Sequence, residues 1–244
     1  MTNKLILTWR NPESRLWVPV AQLSHSNGKY IFNYTNGAKT DNFMTFGNMV
    51  KLDNTYQSDE LFPLFKNRLL SKSRPEYDDY MGWLDIDSND ITPMNELSKS
   101  SGIRATDSLQ IFPIPEKNAE NKYEVYFFAH GLSHMAKTCI DRIKLLEKND
   151  KLFLMQDIQN EYDPLALVLR TDEPPEMVGY CPAFFVKDFN KLIQLNDKEN
   201  VKVTIEKVNP EAPIQYRLLC KLTTSWPEGF LPFDDEEYSL VEKS

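Results

Sequence analysis

The hydrophobic pattern changes period along the chain. Near the start, KLILTW (residues 4–9), RLWVPVAQLSH (15–25) and NGKYIFNYTNG (27–37) carry apolar residues in alternation or short runs, punctuated by Asn-Gly pairs. Alternation marks strands, and Asn-Gly supplies the two positive-φ residues of a tight hairpin turn, so this stretch predicts antiparallel strands. The period then lengthens. In SDELFPLFKNRLLS (58–71), Leu61, Leu64, Phe65 and Leu69 recur at helical spacing. Ser58 is placed to cap that helix, and Pro63 fits only in its first turn. RPEYDDYMGWLDI, with Pro75 at its start, and TPMNELSKSSG, ending at Gly102, predict two further helices. DSLQIFPIP (107–115) returns to strand.

PEKNAENK (115–122) is polar and contains proline, which marks a domain boundary. Beyond it, YEVYFFAHG (123–131), KLFLMQ (151–156), LALVLR (165–170), EMVGYCP (176–182), VKVTIEKV (201–208) and YRLLCKLTT (216–224) read as strands. MAKTCIDRIKLLEKND is a predicted helix with Met135, Cys139, Ile143 and Leu146 on one face, and AFFVKDFNKLIQL is a second. The expected fold is α+β: a mixed α/β platform over residues 1–117, a small β-barrel with two helices over 122–230, and an acidic tail over 231–244.

Composition narrows the classes. Of 244 residues, 41% are hydrophobic and 12% aromatic, which is enough for packed cores. Cys139, Cys181 and Cys220 are odd in number and form no Cys-x-x-Cys, which favours reduced thiols in a cytoplasmic protein. No apolar run has membrane length, and the apolar stretch of MTNKLILTWRNP is short for a signal peptide. Net charge is −8, half of it in LPFDDEEYSLVEKS, with five acidic side chains against one Lys. The two bodies are therefore near neutral, which argues against coating of duplex DNA but leaves room for a small polar pocket. The tail reads as a solvated end, or as a surface for a basic partner.

The chemistry concentrates in MQDIQNEYDPLALVLR (155–170). Asn160, Tyr162 and Asp163 stand in a short loop between two apolar runs. Asn and Asp serve any turn, because their side chains accept hydrogen bonds from nearby backbone N–H groups. The tyrosine has no such use. No phosphate loop, nucleophile elbow or His-Glu-x-x-His zinc pattern occurs. His130 and His134 are four apart, but Gly131 at a strand end breaks a helical ligand face, so neither a metal nor a cofactor is expected.

The second region resembles the HIRAN domain. The matching features, in order, are the strand running into Gly131, Leu152–Leu154, the Asn160-Glu161-Tyr162-Asp163-Pro164-Leu165-Ala166 motif, Val178–Pro182 and the helix that follows. The resemblance implies a modified oligonucleotide-binding barrel that binds single-stranded DNA and captures its free 3′ end. Tyr162 and Asp163 would then sit at the end pocket, the carboxylate accepting a hydrogen bond from the terminal hydroxyl. Asn160 would hold the loop or meet a base edge, and Tyr180 would face the same pocket. Where DNA-binding members carry Arg-Tyr after the glycine, this chain has Ser133 and His134. Glu161 stands where proline is common, and Lys187 on the following helix partly compensates. The first region resembles the N-terminal subdomain of HipA-type toxins through NGKYIFNY, LFPLF and GIRATDSLQIFP, which implies a packing or partner-docking role. A protein-interaction or antitoxin-like subunit, with its partner held by the first domain or the tail, is the competing reading. An enzyme acting on nucleic-acid ends through Asp157, Glu161 and Asp163 is a third.

Overall fold

The structure is a computed structural model that describes residues 4–243. The chain forms two compact units, one comprising residues up to Met81, Ile86–Ile114 and the segment from Leu231, the other Gly82–Asp85 and Pro115–Phe230. Among the described residues no helix is long and apolar enough to cross a membrane.

In the first unit, strands β1 (Lys4–Arg10), β2 (Trp17–Ser26), β3 (Lys29–Tyr34), β4 (Tyr56–Ser58) and β5 (Leu109–Pro113) form an antiparallel sheet in the order β4-β3-β2-β1-β5. The β2–β3 hairpin turns at Asn27 and Gly28, both at positive φ (52° and 74°), as the Asn-Gly pair predicts. Phe32 is fully buried at the centre of a ring cluster, with Tyr34 at 4.9 Å and Phe62 at 5.9 Å. The Tyr34 hydroxyl donates to the Met49 carbonyl (2.7 Å) and accepts from the Phe46 amide (2.9 Å), which pins the long β3–β4 connection onto this core.

The helices of this unit are shorter than their apolar spacing suggests. Only Pro63–Lys66 winds as α1, and Ser58 ends β4, its hydroxyl accepting from the Glu60 amide. Proline has no N–H to give, so the helix starts at Pro63 rather than five residues earlier. Helix α2 is Tyr77–Trp83. Helix α3 (Pro93–Ser100) is capped by the Thr92 side chain, which accepts from the Asn95 amide, and it ends at Ser101 in the left-handed region. Arg68, with its side chain 2% exposed, donates to both carboxylate oxygens of Asp107 (3.2 and 2.6 Å) and to the Gly102 carbonyl (2.7 Å).

The acidic segment departs from the expected solvated end. Ser239 accepts from the Asn36 amide (2.8 Å), Val241 donates to the Tyr34 carbonyl (3.0 Å), and buried Phe233 packs at 5.1 Å from Phe112. The apolar residues beside the acids, Leu231, Phe233 and Leu240, were the missed signal. Only Phe233 of these is buried, and it anchors the stretch.

In the second unit, β6 (Lys122–Phe128), β7 (Lys151–Gln156), β8 (Leu167–Arg170), β9 (Met177–Tyr180), β10 (Lys202–Val208) and β11 (Leu218–Ser225) form an antiparallel sheet in the order β6-β11-β10-β7-β8-β9. The sheet curls until its two edges meet. Just past β6, His130 forms a bridge with Tyr180 at the end of β9, each amide donating to the other's carbonyl (2.9 and 3.0 Å). Helix α5 (Ala183–Asn196) contributes Phe185 and Phe189 to the core, both near Phe127 and stacked on each other at 5.4 Å. Helix α4 is only Lys137–Ile143, although Cys139, Ile143 and Leu146 are buried as the spacing predicts.

Replacing Phe233 with Ala removes a buried ring from the first unit and is expected to cost about 3 kcal/mol. Urea denaturation measures this, and an unchanged midpoint would mean that the acidic segment contributes nothing to the fold.

Candidate functional site

The β7–β8 connection, residues 157–166, is a closed loop held by side chains. The Asp157 amide donates to the Ala166 carbonyl (2.9 Å), which shuts the mouth. Gln156 Nε2 donates to the Pro164 carbonyl (3.2 Å), and Asn190 Nδ2 on α5 to that of Leu165 (3.1 Å). Inside the loop, Asn160 Oδ1 accepts from the amides of Tyr162 and Asp163 (both 3.0 Å). Asp163 Oδ1 accepts from the Leu165 amide (2.9 Å). Asn160 and Asp163 thus do what short polar side chains do in turns.

These clamps leave Tyr162 standing out of the loop, 85% exposed. Its neighbour Asp163 is half-buried, and Asp163 Oδ2 makes no hydrogen bond among the described residues. A phenol ring in water beside an unengaged carboxylate oxygen is poor use of a structural corner. It suits a ligand with a flat face and a hydroxyl donor.

Asp157 is the hub that sequence reasoning undervalued. Its Oδ2 accepts from Asn160 Nδ2 (3.2 Å) and from the Tyr180 hydroxyl (2.9 Å), and its Oδ1 from the Gln159 amide (3.3 Å). The Asp-x-x-Asn spacing, Asp157 to Asn160, was the available sign of this turn. Burial first, then the Asp157 carboxylate, push the Tyr180 phenol up, so its hydroxyl stays a donor. Tyr180 is therefore tied to the base of the loop, with its hydroxyl engaged by Asp157.

Two glycines let the strand ends approach. Gly131 is left-handed (φ 75°), and a Cβ there would meet the Tyr180 ring at 3.0 Å. Gly179 (φ 131°) is tighter, because a Cβ would stand 2.8 Å from the Ala129 Cβ and 3.2 Å from the His130 carbonyl. His130 is partly covered and meets Phe184 edge-on at 6.1 Å; loss of water around its ring lowers its pKa to about 4.

Ser133 and His134 lie on a single turn, Leu132–His134, directly after Gly131, and both are exposed. Lys187 is exposed on α5, one turn before Asn190, which grips the loop. The structure thus joins Asn160 and Tyr180 to Asp157, holds Tyr162 and Asp163 through the Asn160 side chain, puts Ser133 and His134 after the glycine that the Tyr180 ring covers, and links Lys187 to the loop through α5. Among the described residues no three His, Cys, Asp or Glu side chains gather as a metal site.

Residues 122–227 match the family model of the HIRAN domain, a DNA-binding domain, and this stretch lies within the second unit. Two solved structures are similar, each at 12% identity and a TM-score of 0.31. One is a crystal structure of a protein from Lactobacillus plantarum, with 42% of this chain and 98% of that chain covered. The other is the crystal structure of the HIRAN domain of human HLTF, with 44% and 84% covered. No curated protein matches the chain.

Two stability outcomes separate the exposed ring from its supports. Tyr162→Ala is expected to change unfolding by less than about 0.5 kcal/mol, whereas Gly179→Ala forces a Cβ against the Ala129 Cβ and the His130 carbonyl at a positive φ and costs about 3 kcal/mol or more. Equal effects in urea would contradict this division. The lowered pKa of His130 also gives a pH signature. Between its folded value of about 4 and its ordinary value of 6.5, the unfolded chain binds the extra proton. Stability is full above this window and falls with pH through it, by at most about 3 kcal/mol, since partial exposure softens the effect. His130→Gln should flatten that stretch of the pH–stability curve.

Proposed function

We propose that the protein is a non-enzymatic nucleic-acid-binding protein whose second unit engages single-stranded DNA at a free 3′ end. The observation that carries this reading is the 85%-exposed Tyr162, held up by the Asn160 clamp beside an unengaged oxygen of Asp163. The HIRAN match over residues 122–227 supports it. A terminal nucleotide has the matching features, a flat base and a 3′-hydroxyl that internal nucleotides lack. The ring stacks on the base, and Asp163 Oδ2 accepts from the hydroxyl. A blocked or phosphorylated end has no such donor and brings negative charge against the carboxylate.

The phosphate side of this site is light. Ser133 and His134 stand where the family resemblance implies Arg-Tyr, and Lys187 lies one turn from the helix contact with the loop. Stacking and end recognition therefore carry the affinity in this reading, with a modest dependence on salt.

Fluorescence anisotropy with labelled oligonucleotides tests the proposal. A free 3′-hydroxyl should bind more tightly than a 3′-phosphate. Tyr162→Ala should weaken binding roughly 5- to 150-fold, the equivalent of about 1–3 kcal/mol of stacking. Asp163→Ala should erase the preference between the two ends. Equal binding to both ends, unaffected by either substitution, would remove the basis for end capture.

A further inference from the structure

The outward face of β7 breaks the usual rule for a half-buried strand. Leu152 and Leu154 point into the core, yet the alternate positions are also large and apolar. Phe153 is 40% exposed and Met155 42% exposed. A strand apolar on both faces expects cover on both, and here one side faces solvent.

The cross-strand neighbours of Phe153 say what fits there. In the β7–β8 register it faces Arg170, whose guanidinium carbon lies 5.1 Å from the ring centroid. Arg170 in turn faces Met177 on β9, which is 43% exposed. On the other side, Val203 pairs with Leu152, so one step further along this antiparallel register brings exposed Lys202 level with Phe153. Neither Arg170 nor Lys202 makes an ion pair among the described residues. The acid further along β10, Glu206, is already held by Lys148 and Lys221. The result is one row across three strands, cation–aromatic–cation, on a unit with near-neutral overall charge.

We propose that this row is a track for single-stranded nucleic acid, a second binding site for the strand that leads away from the end held at Tyr162. The inference rests on the proposed end-binding reading. An apolar ring flanked by two unpaired cations matches a base flanked by two phosphates. An uncharged apolar protein segment covering the same face would bury both cations without partners, at a cost that nucleic acid avoids. The path is continuous. Phe153 and Met155 are two residues apart on the strand that runs directly into the loop, a spacing of about 6.8 Å. Met155 is followed by exposed Gln156, whose Nε2 donates to the Pro164 carbonyl (3.2 Å), so the exposed side of β7 ends at the loop itself.

The test compares a dinucleotide with a decanucleotide of thymidine, both with free 3′-hydroxyls, on the full chain by anisotropy. The longer strand should bind more tightly to the wild type. Phe153→Ser should weaken the decanucleotide roughly 5- to 150-fold and leave the dinucleotide unchanged, while Phe153→Trp retains the gain. Combining Arg170→Gln with Lys202→Gln should reduce the salt slope for the long strand by roughly 0.7 per cation. Photo-crosslinking of a 5-iodouracil decanucleotide to the wild-type protein needs no variant and should map to residues 151–156. If length adds nothing, or crosslinks fall only elsewhere, the track is overturned while the end site stands. If the wild type binds neither oligonucleotide, both readings fall. If Phe153→Ser instead abolishes self-association in sedimentation without nucleic acid, the face belongs to a second copy and the track is overturned.

Discussion

The bridge between His130 and Tyr180 is the constraint on which the second unit depends. Six antiparallel strands can lie as an open sheet with two bare edges. Here β6 and β9 are brought together at one end by a pair of backbone hydrogen bonds, and that contact exists only because residue 179 has no side chain. Closure brings the turn after Gly131 against the Tyr180 ring, and the Tyr180 hydroxyl then reaches Asp157. The proposed binding loop is thus fixed to the rim of the sheet at a place where the backbone has no slack. Loss of water around His130 at the same junction lowers its pKa, so acid is expected to weaken this closure.

The loop shows how a few polar side chains can hold an irregular segment in shape. Asp157, Asn160 and Asp163 each accept hydrogen bonds from amides within three residues, so the backbone donors of the loop do not depend on the ring of Tyr162. Support and display are divided between different residues. Removing the display should leave the fold intact, and removing a support should weaken both.

Much of this was legible in the sequence because local chemistry decided it. Asn27-Gly28 fixed a hairpin, and the apolar alternation located the strands. The spacing of Asn160, Tyr162 and Asp163 marked the loop. What escaped depends on distant partners or on competing local demands. Pro63 cut a predicted helix to four residues. The acids of the C-terminal segment hid the buried ring, Phe233, that docks it. Asp157 looked like one more acid until Tyr180, from another strand, was found bound to it. The exposure of Phe153 and Met155 was invisible, because an apolar run reads as core whether or not anything covers its second face.

The return of residues 231–243 to the first unit gives the chain an unusual order of completion. The five strands of that unit are all in place by residue 113, but the segment that bonds to Asn36 and Tyr34 lies beyond the whole second unit. A ribosome making this chain must finish the second unit before the first unit can close. The usual sequence in which the leading domain folds first is therefore interrupted. Until the final stretch is made, Phe233 does not yet cover Phe112, and the nascent first unit is left with an unsealed apolar seam.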